Sequence, residues 1–152
     1  MRSLQERTPP AGQIWMGPQP VPQWFEDISA AFDACWVAVE GANYRDIVGM
    51  VFVQDVSSRK AEVEVPGILK SGRRLARLRR LVVAPERQRQ GIGRQLTRTV
   101  IEWSRERGYD AVILETTPQQ EAAVALYKSM GFREVGRSTF RLWELAWFEL
   151  RL

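Results

Sequence analysis

The segment Leu81-Val-Val-Ala-Pro-Glu-Arg-Gln-Arg-Gln-Gly-Ile-Gly-Arg-Gln-Leu96 constrains the fold more than any other part of the chain. An apolar strand runs through a glycine-containing turn directly into an amphipathic helix. The first N–H groups of a helix have no intrahelical acceptor and sit at the positive end of the macrodipole, so an anion such as a pyrophosphate satisfies both. Gly91 and Gly93 keep side chains out of its way. No Ser, Thr, Asp or Asn stands where an N-cap is expected, which leaves the cap to a ligand. The spacing from Gln88, Gln-x-x-Gly-x-Gly, is neither a P-loop nor the three-glycine dinucleotide turn.

Downstream, Ala111-Val-Ile-Leu-Glu115 reads as a buried strand, and Thr117-Pro-Gln-Gln120 has the form of a capping box with proline at the first helical position. The helix predicted from there runs to Met130, with Ala123, Leu126, Tyr127 and Met130 on one face and Gly131 as its C-cap. Taken together, Gln88 to Gly93 after a strand and Ala125-Leu-Tyr-Lys-Ser-Met-Gly-Phe132 resemble motifs A and B of the GNAT superfamily, the acetyl-coenzyme A dependent N-acetyltransferases. The resemblance covers roughly Cys35 to Leu152.

The resemblance implies an α/β fold, a central mixed, mostly antiparallel, twisted sheet flanked by helices. It also implies a pantetheine arm paired as an added strand with the main chain of Leu81, Val82 and Val83. The turn residues Arg89, Gln90, Gly91, Ile92, Gly93 and Arg94, opened by Gln88, are then expected to hold the pyrophosphate, with Arg87 adding charge. Arg89 stands where many family members have glycine. Tyr127 falls at the motif B position whose phenol sits near the sulfur and acts as general acid; on periodicity alone it reads equally as a core tyrosine. Glu115, Gln120 and Tyr127 are spaced like the glutamate base, cofactor-contacting asparagine and tyrosine acid of bacterial ribosomal-protein-alanine acetyltransferases. Gln120 lengthens that amide by a methylene, and serves equally as the capping-box side chain.

Removing a proton from an amine at neutral pH costs roughly 4 kcal/mol unaided, so a base or a water relay is expected. The chain has no histidine and one cysteine, Cys35, which excludes Ser/His triads, Cys/His nucleophiles and Cys/His zinc sites, and no metal is expected. A carboxylate acting directly or through water remains, with Glu115 the first candidate. The central strand offers Arg77-Leu-Arg-Arg-Leu81 where many family members carry an acidic residue. That departure keeps a coenzyme A binding or sensing module without turnover as the alternative.

Five of the eight prolines lie between Pro9 and Pro22, so residues 1–24 read as an extended arm ahead of an acetyltransferase domain over 25–152. A short helix over Phe25–Asp33, strands over Cys35–Glu40 and Ile47–Val53 joined by a turn at Gly41–Asn43, and a loop or ragged strand end over Ser57–Gly72 complete the N-terminal half. The family opens with a strand and two helices, so these elements are expected to be shortened, missing or completed by a second subunit of a homodimer. Ile92, Leu96, Val100 and Trp103 form the apolar stripe of the helix after the cradle, which Gly108 ends. Phe132–Phe140 and Leu142–Leu150 read as antiparallel strands.

No apolar run approaches the ~20 residues of a membrane span, and Met1–Glu6 lacks a signal-peptide core, so a cytoplasmic protein with no membrane partner is expected. Net charge is +4, densest at Arg73, Arg74, Arg77, Arg79 and Arg80. Without a nucleic-acid motif this charge is read as attraction for acetyl-CoA rather than RNA, leaving a ribosome-associated interaction protein as a third reading. The expected partners are acetyl-CoA and an amine acceptor, either a small molecule or a protein N-terminus or lysine. Cys35-Trp-Val-Ala38, Leu114–Thr117 and Gly136–Trp143 also resemble the animal branch that acetylates cysteine conjugates or aspartate.

Overall fold

Alternation with period 2 in the strands and 3.6 in the helices decides which side chains share a face. A computed structural model describes residues 15–17, 32–40, 46–56, 65–70 and 72–152. Their order is β1 (Trp15–Gly17), β2 (Ala34–Glu40), β3 (Asp46–Asp55), α1 (Gly67–Lys70), β4 (Leu75–Val83), a 3-10 turn (Pro85–Arg87), α2 (Ile92–Glu106), β5 (Ala111–Thr116), α3 (Glu121–Ser129), β6 (Arg133–Phe140) and β7 (Trp143–Arg151). They form a seven-stranded sheet in the order β1-β2-β3-β4-β5-β7-β6. Every neighbouring pair is antiparallel except β4 and β5, which run parallel. The architecture is the α/β mixed sheet expected.

β5 shows how alternation builds two cores. Val112 and Leu114 pack with Ile92, Leu96 and Val100 of α2 and Tyr127 of α3, whereas Ala111 and Ile113 join Leu75, Trp147, Val65 and Leu69 on the opposite face. The same parity holds in the first half of β4, where Ala76 and Leu78 face the helices and Leu75 faces away. A bulge then intervenes: Phe52 pairs with Arg79 but Met50 with Val82, and Arg80 takes φ 50°. The bulge reverses the phase, so that Leu81 and Val83 turn toward the helices and Val82 points out, 53% exposed.

Two parts of the sequence reading need correction. The helix predicted from Thr117 begins at Glu121 instead, and Gln120, its N-cap residue, makes no side-chain cap bond. Thr116 explains this: its hydroxyl donates to Gln120 Oε1 at 3.1 Å, so the amide cannot reach back to the Thr117 N–H. Residues 117–120 form a turn in which the Gln120 N–H donates to the Thr117 carbonyl. Within the stretch read as a loop over Ser57–Gly72, α1 forms behind Pro66, whose carbonyl accepts from the Leu69 N–H, and Leu69 is buried beside Val65 and Trp147. Within the proline-rich arm, β1 pairs with β2 as an edge strand. The predicted helix over Phe25–Asp33 lies outside the described residues except for a bend at Phe32 and Asp33, as does the turn at Gly41–Asn43.

Candidate active site

The parallel pairing of β4 with β5 stops at Arg77 and Ile113. Beyond it the strands diverge, and no β5 residue pairs with Leu81–Val83 among the described residues. An edge of this kind can pair with the amides of an extended ligand. Where β4 ends, Gly91 caps α2 with φ 84° and no side-chain cap bond, as expected from the missing Ser, Thr, Asp or Asn. Intrahelical bonding begins with the Gln95 N–H on the Gly91 carbonyl, leaving the amides of Ile92, Gly93 and Arg94 directed at a cavity of about 740 Å³.

Leu81, Val83, Gln88, Arg89, Gly91, Ile92, Gly93, Arg94, Gln120 and Tyr127, all singled out from the sequence, line that cavity. Val82 and Gln90 do not. The bulge turns the Val82 side chain outward.

The polar side chains around the turn have definite tasks. Gln88 donates to the Val83 carbonyl at 3.2 Å and so closes the turn. Arg87 pairs with Glu40 at 2.6 Å, and Arg94 bridges α2 to α3 by donating to Ser129 Oγ at 2.7 Å. Exposed Arg89 adopts the left-handed conformation, φ 61°, that glycine supplies elsewhere; for an arginine this costs roughly 1 kcal/mol. The close approach of α2 to the sheet depends on Gly49 of β3, which was not singled out from sequence. A Cβ there would lie 3.1 Å from Ile92 Cγ2 and from Leu96 Cδ1, and 3.2 Å from the Val82 carbonyl oxygen.

A second cavity, of about 400 Å³, opens where β4 and β5 diverge and is lined by Leu78, Arg79, Arg80, Glu115, Thr116, Thr117 and Leu145. Leu81, Gln120 and Tyr127 line both cavities. Tyr127 packs edge-on against Phe132 at 5.8 Å and tilted against Phe148 at 6.5 Å. Burial, and then the nearby negative charge of Glu115, push its phenol up to about 12. It is therefore a protonated hydrogen-bond donor throughout the neutral range.

Parity places Arg77, Glu115 and Trp147 on the same sheet face, away from the helices. Arg77, fully buried, donates to both carboxylate oxygens of Glu115, from Nε to Oε2 at 3.0 Å and from Nη2 to Oε1. Arg79 Nε stands 3.6 Å from the same carboxylate. The Arg77 guanidinium lies over the Trp147 ring at 5.2 Å, and the indole N–H is held by Ser138 Oγ at 2.8 Å. From sequence Arg77 stands out only as a departure from the usual acid; its pairing with Glu115 follows from a register that sets it opposite Ile113, two residues before Glu115 on the same face. Among the described residues no cluster of metal-ligating side chains occurs.

The sequence profile of the Acetyltransferase (GNAT) family matches residues 2–132. The chain belongs to the GNAT family. Human N-acetyltransferase 8 is 37% identical over 108 residues, 71% of this GNAT chain and 42% of the human protein. Mouse N-acetyltransferase 8F1 is 38% identical over 115 residues, 74% of this chain and 46% of that protein. The chain thus matches less than half the length of these relatives. Among solved structures, Arabidopsis thaliana NAA60 in complex with acetyl-CoA superposes with a TM-score of 0.68 at 18% identity, covering 92% of this chain and 99% of that one. The ribosomal-protein-S18-alanine N-acetyltransferase of Escherichia coli gives 0.60 at 21% identity, covering 87% and 79%. At those identities the likeness shows the GNAT fold.

Proposed function

We propose that this GNAT protein is an acetyl-CoA dependent N-acetyltransferase that acts on a primary amine by direct attack in a ternary complex. The acceptor is a small molecule, a protein N-terminus or a lysine. The observation that carries this reading is Tyr127 on the wall shared by two cavities, one bounded by an uncapped helix N-terminus and the other by Glu115. Family membership supports it, as do the names of the relatives and the acetyl-CoA bound to NAA60.

The cradle fits such a co-substrate. The amides at Ile92, Gly93 and Arg94, with Gly91 bare of side chain, suit a pyrophosphate, and the edge of Leu81–Val83 that β5 leaves without a strand partner suits pantetheine amides. When bound, acetyl-CoA supplies an activated acetyl group and a thiolate leaving group. Tyr127 is the donor toward the departing sulfur, protonated at neutral pH because burial holds its phenol near 12. Glu115 is the base that takes the incoming amine's proton directly or through a water, and Gln120, tied to Thr116, lines both cavities.

A thiol-release assay with acetyl-CoA and a panel of amino acids, amines and N-terminal peptides tests the reading. Turnover on at least one class is expected. Acetyl-CoA binding without release on any class would favour a sensing module instead.

A further inference from the structure

We infer that Arg77 is a positioning residue for the acceptor side of the site: it fixes the orientation of the Glu115 carboxylate at the mouth where the amine arrives. The inference rests on the proposed transferase reading and names a part of it that neither the sequence motifs nor the relatives assign. Three observations carry it. Arg77 is fully buried, and it spends two donors of its planar fork on one carboxylate. The guanidinium is itself placed over Trp147, whose indole N–H donates to Ser138. Glu115, by contrast, is the member of the pair that reaches the second cavity, beside Tyr127 and Arg79.

A pair serving stability alone has no need of that asymmetry, with one partner sealed and the other lining a cavity beside the buried phenol. The clamp therefore presents the carboxylate to the amine in one orientation, at the lining of the second cavity. Lysine at position 77 would keep the charge and lose the fork.

The test compares wild type with Arg77→Met, Arg77→Lys, Glu115→Gln and the double variant Arg77→Met/Glu115→Gln. Acetyl-CoA binding is read by calorimetry, unfolding by thermal melts, and kcat and KM with whichever of a free amino acid, benzylamine or a serine-starting peptide the wild type turns over fastest. Single variants are expected to lower the melting temperature. The double variant removes both charges, and its melting temperature is expected to return toward the wild-type value.

Acetyl-CoA affinity is expected to stay within about 2-fold throughout. kcat/KM for the acceptor is expected to fall about 100-fold in Arg77→Met, in Glu115→Gln and, without further loss, in the double variant, and about 10-fold in Arg77→Lys. Recovery of turnover in the double variant along with its stability would show a merely structural pair and overturn the inference. Wild-type turnover in Arg77→Met would overturn it as well. Absence of transfer by wild type would instead sink the underlying transferase reading, and the inference with it.

Discussion

The phenol of Tyr127 has a donor's chemistry in a core residue's surroundings. It is buried against Phe132 and Phe148, and removing its oxygen leaves those ring contacts in place. Tyr127→Phe is therefore expected to keep acetyl-CoA affinity and to shift stability by less than about 1 kcal/mol, while kcat falls ~100-fold or more; steady-state kinetics beside calorimetry check this. Because the phenol is held near 12, it contributes no titration between pH 6 and 10. Any rise of kcat/KM across that range should follow the pKa of the acceptor amine, and changing the acceptor should move it. At Gly49, by contrast, the effect is steric. An added Cβ meets two α2 side chains and the Val82 carbonyl oxygen, which is backbone and cannot step aside. Gly49→Ala is expected to destabilise by about 1–3 kcal/mol and to weaken acetyl-CoA binding, because α2 must move away from β3; thermal melts and titration measure the two effects.

At the scale of elements, the amphipathic face of α2 was legible because Ile92, Leu96 and Val100 repeat with helical period and are all buried. Leu96→Ala should accordingly cost about 2–5 kcal/mol in chemical denaturation, and Arg98→Ala on the exposed face less than about 0.5 kcal/mol. β5 and the β6–β7 hairpin were legible for the same reason, as runs of apolar or alternating residues. Gly108 and Gly131 end their helices as read, each followed by a residue whose N–H returns to the last turn.

The apolar run marks β4 only from Leu81 onward, and the family resemblance extends it back to Arg77. The strand's first half, Leu75–Arg80, carries three arginines, and the burial of Arg77 is made possible by a partner on another strand that no local window contains. The bulge at Arg80 erased the simple alternation as well. The start of α3 was misplaced because Thr116, outside the capping-box pattern, captures the amide of Gln120. The cradle itself was readable in nearly every residue, since glycine positions and a missing cap are local signals. The Arg77–Glu115 clamp was not, because it depends on strand register.

Over the whole molecule, the arginine run that dominates the sequence does not form one basic surface. Arg73 pairs with Glu149 at 2.7 Å, Arg74 lies over the Tyr109 ring at 4.7 Å, Arg77 and Arg79 share Glu115, and Arg80 sits over Phe32 at 5.9 Å. Stability should be bounded at both ends of the pH scale. Burial raises the phenols of Tyr127 and Tyr109 to about 12 from an ordinary value of 10. Between those values the folded state holds protons that the unfolded state has lost, so stability is full below pH 10 and falls as pH rises toward 12. Tyr127 alone accounts for about 2–3 kcal/mol of that loss.

On the acid side, the hydrogen bond from Arg73 holds Glu149 below its ordinary 4.5. Its contribution is present above that pH and is lost as pH falls through the lowered value. Thermal melts across pH 3 to 12 should trace both limbs, and Tyr127→Phe should flatten the alkaline one.

The claim on which the account rests most heavily is that the uncapped start of α2 and the open edge of β4 hold acetyl-CoA against Tyr127. Calorimetric titration with acetyl-CoA, followed in the same sample by thiol release on addition of the amine panel, tests it most directly. The account predicts one-to-one binding in the micromolar range and release of free coenzyme A with at least one acceptor class. No heat of binding at millimolar acetyl-CoA would contradict it.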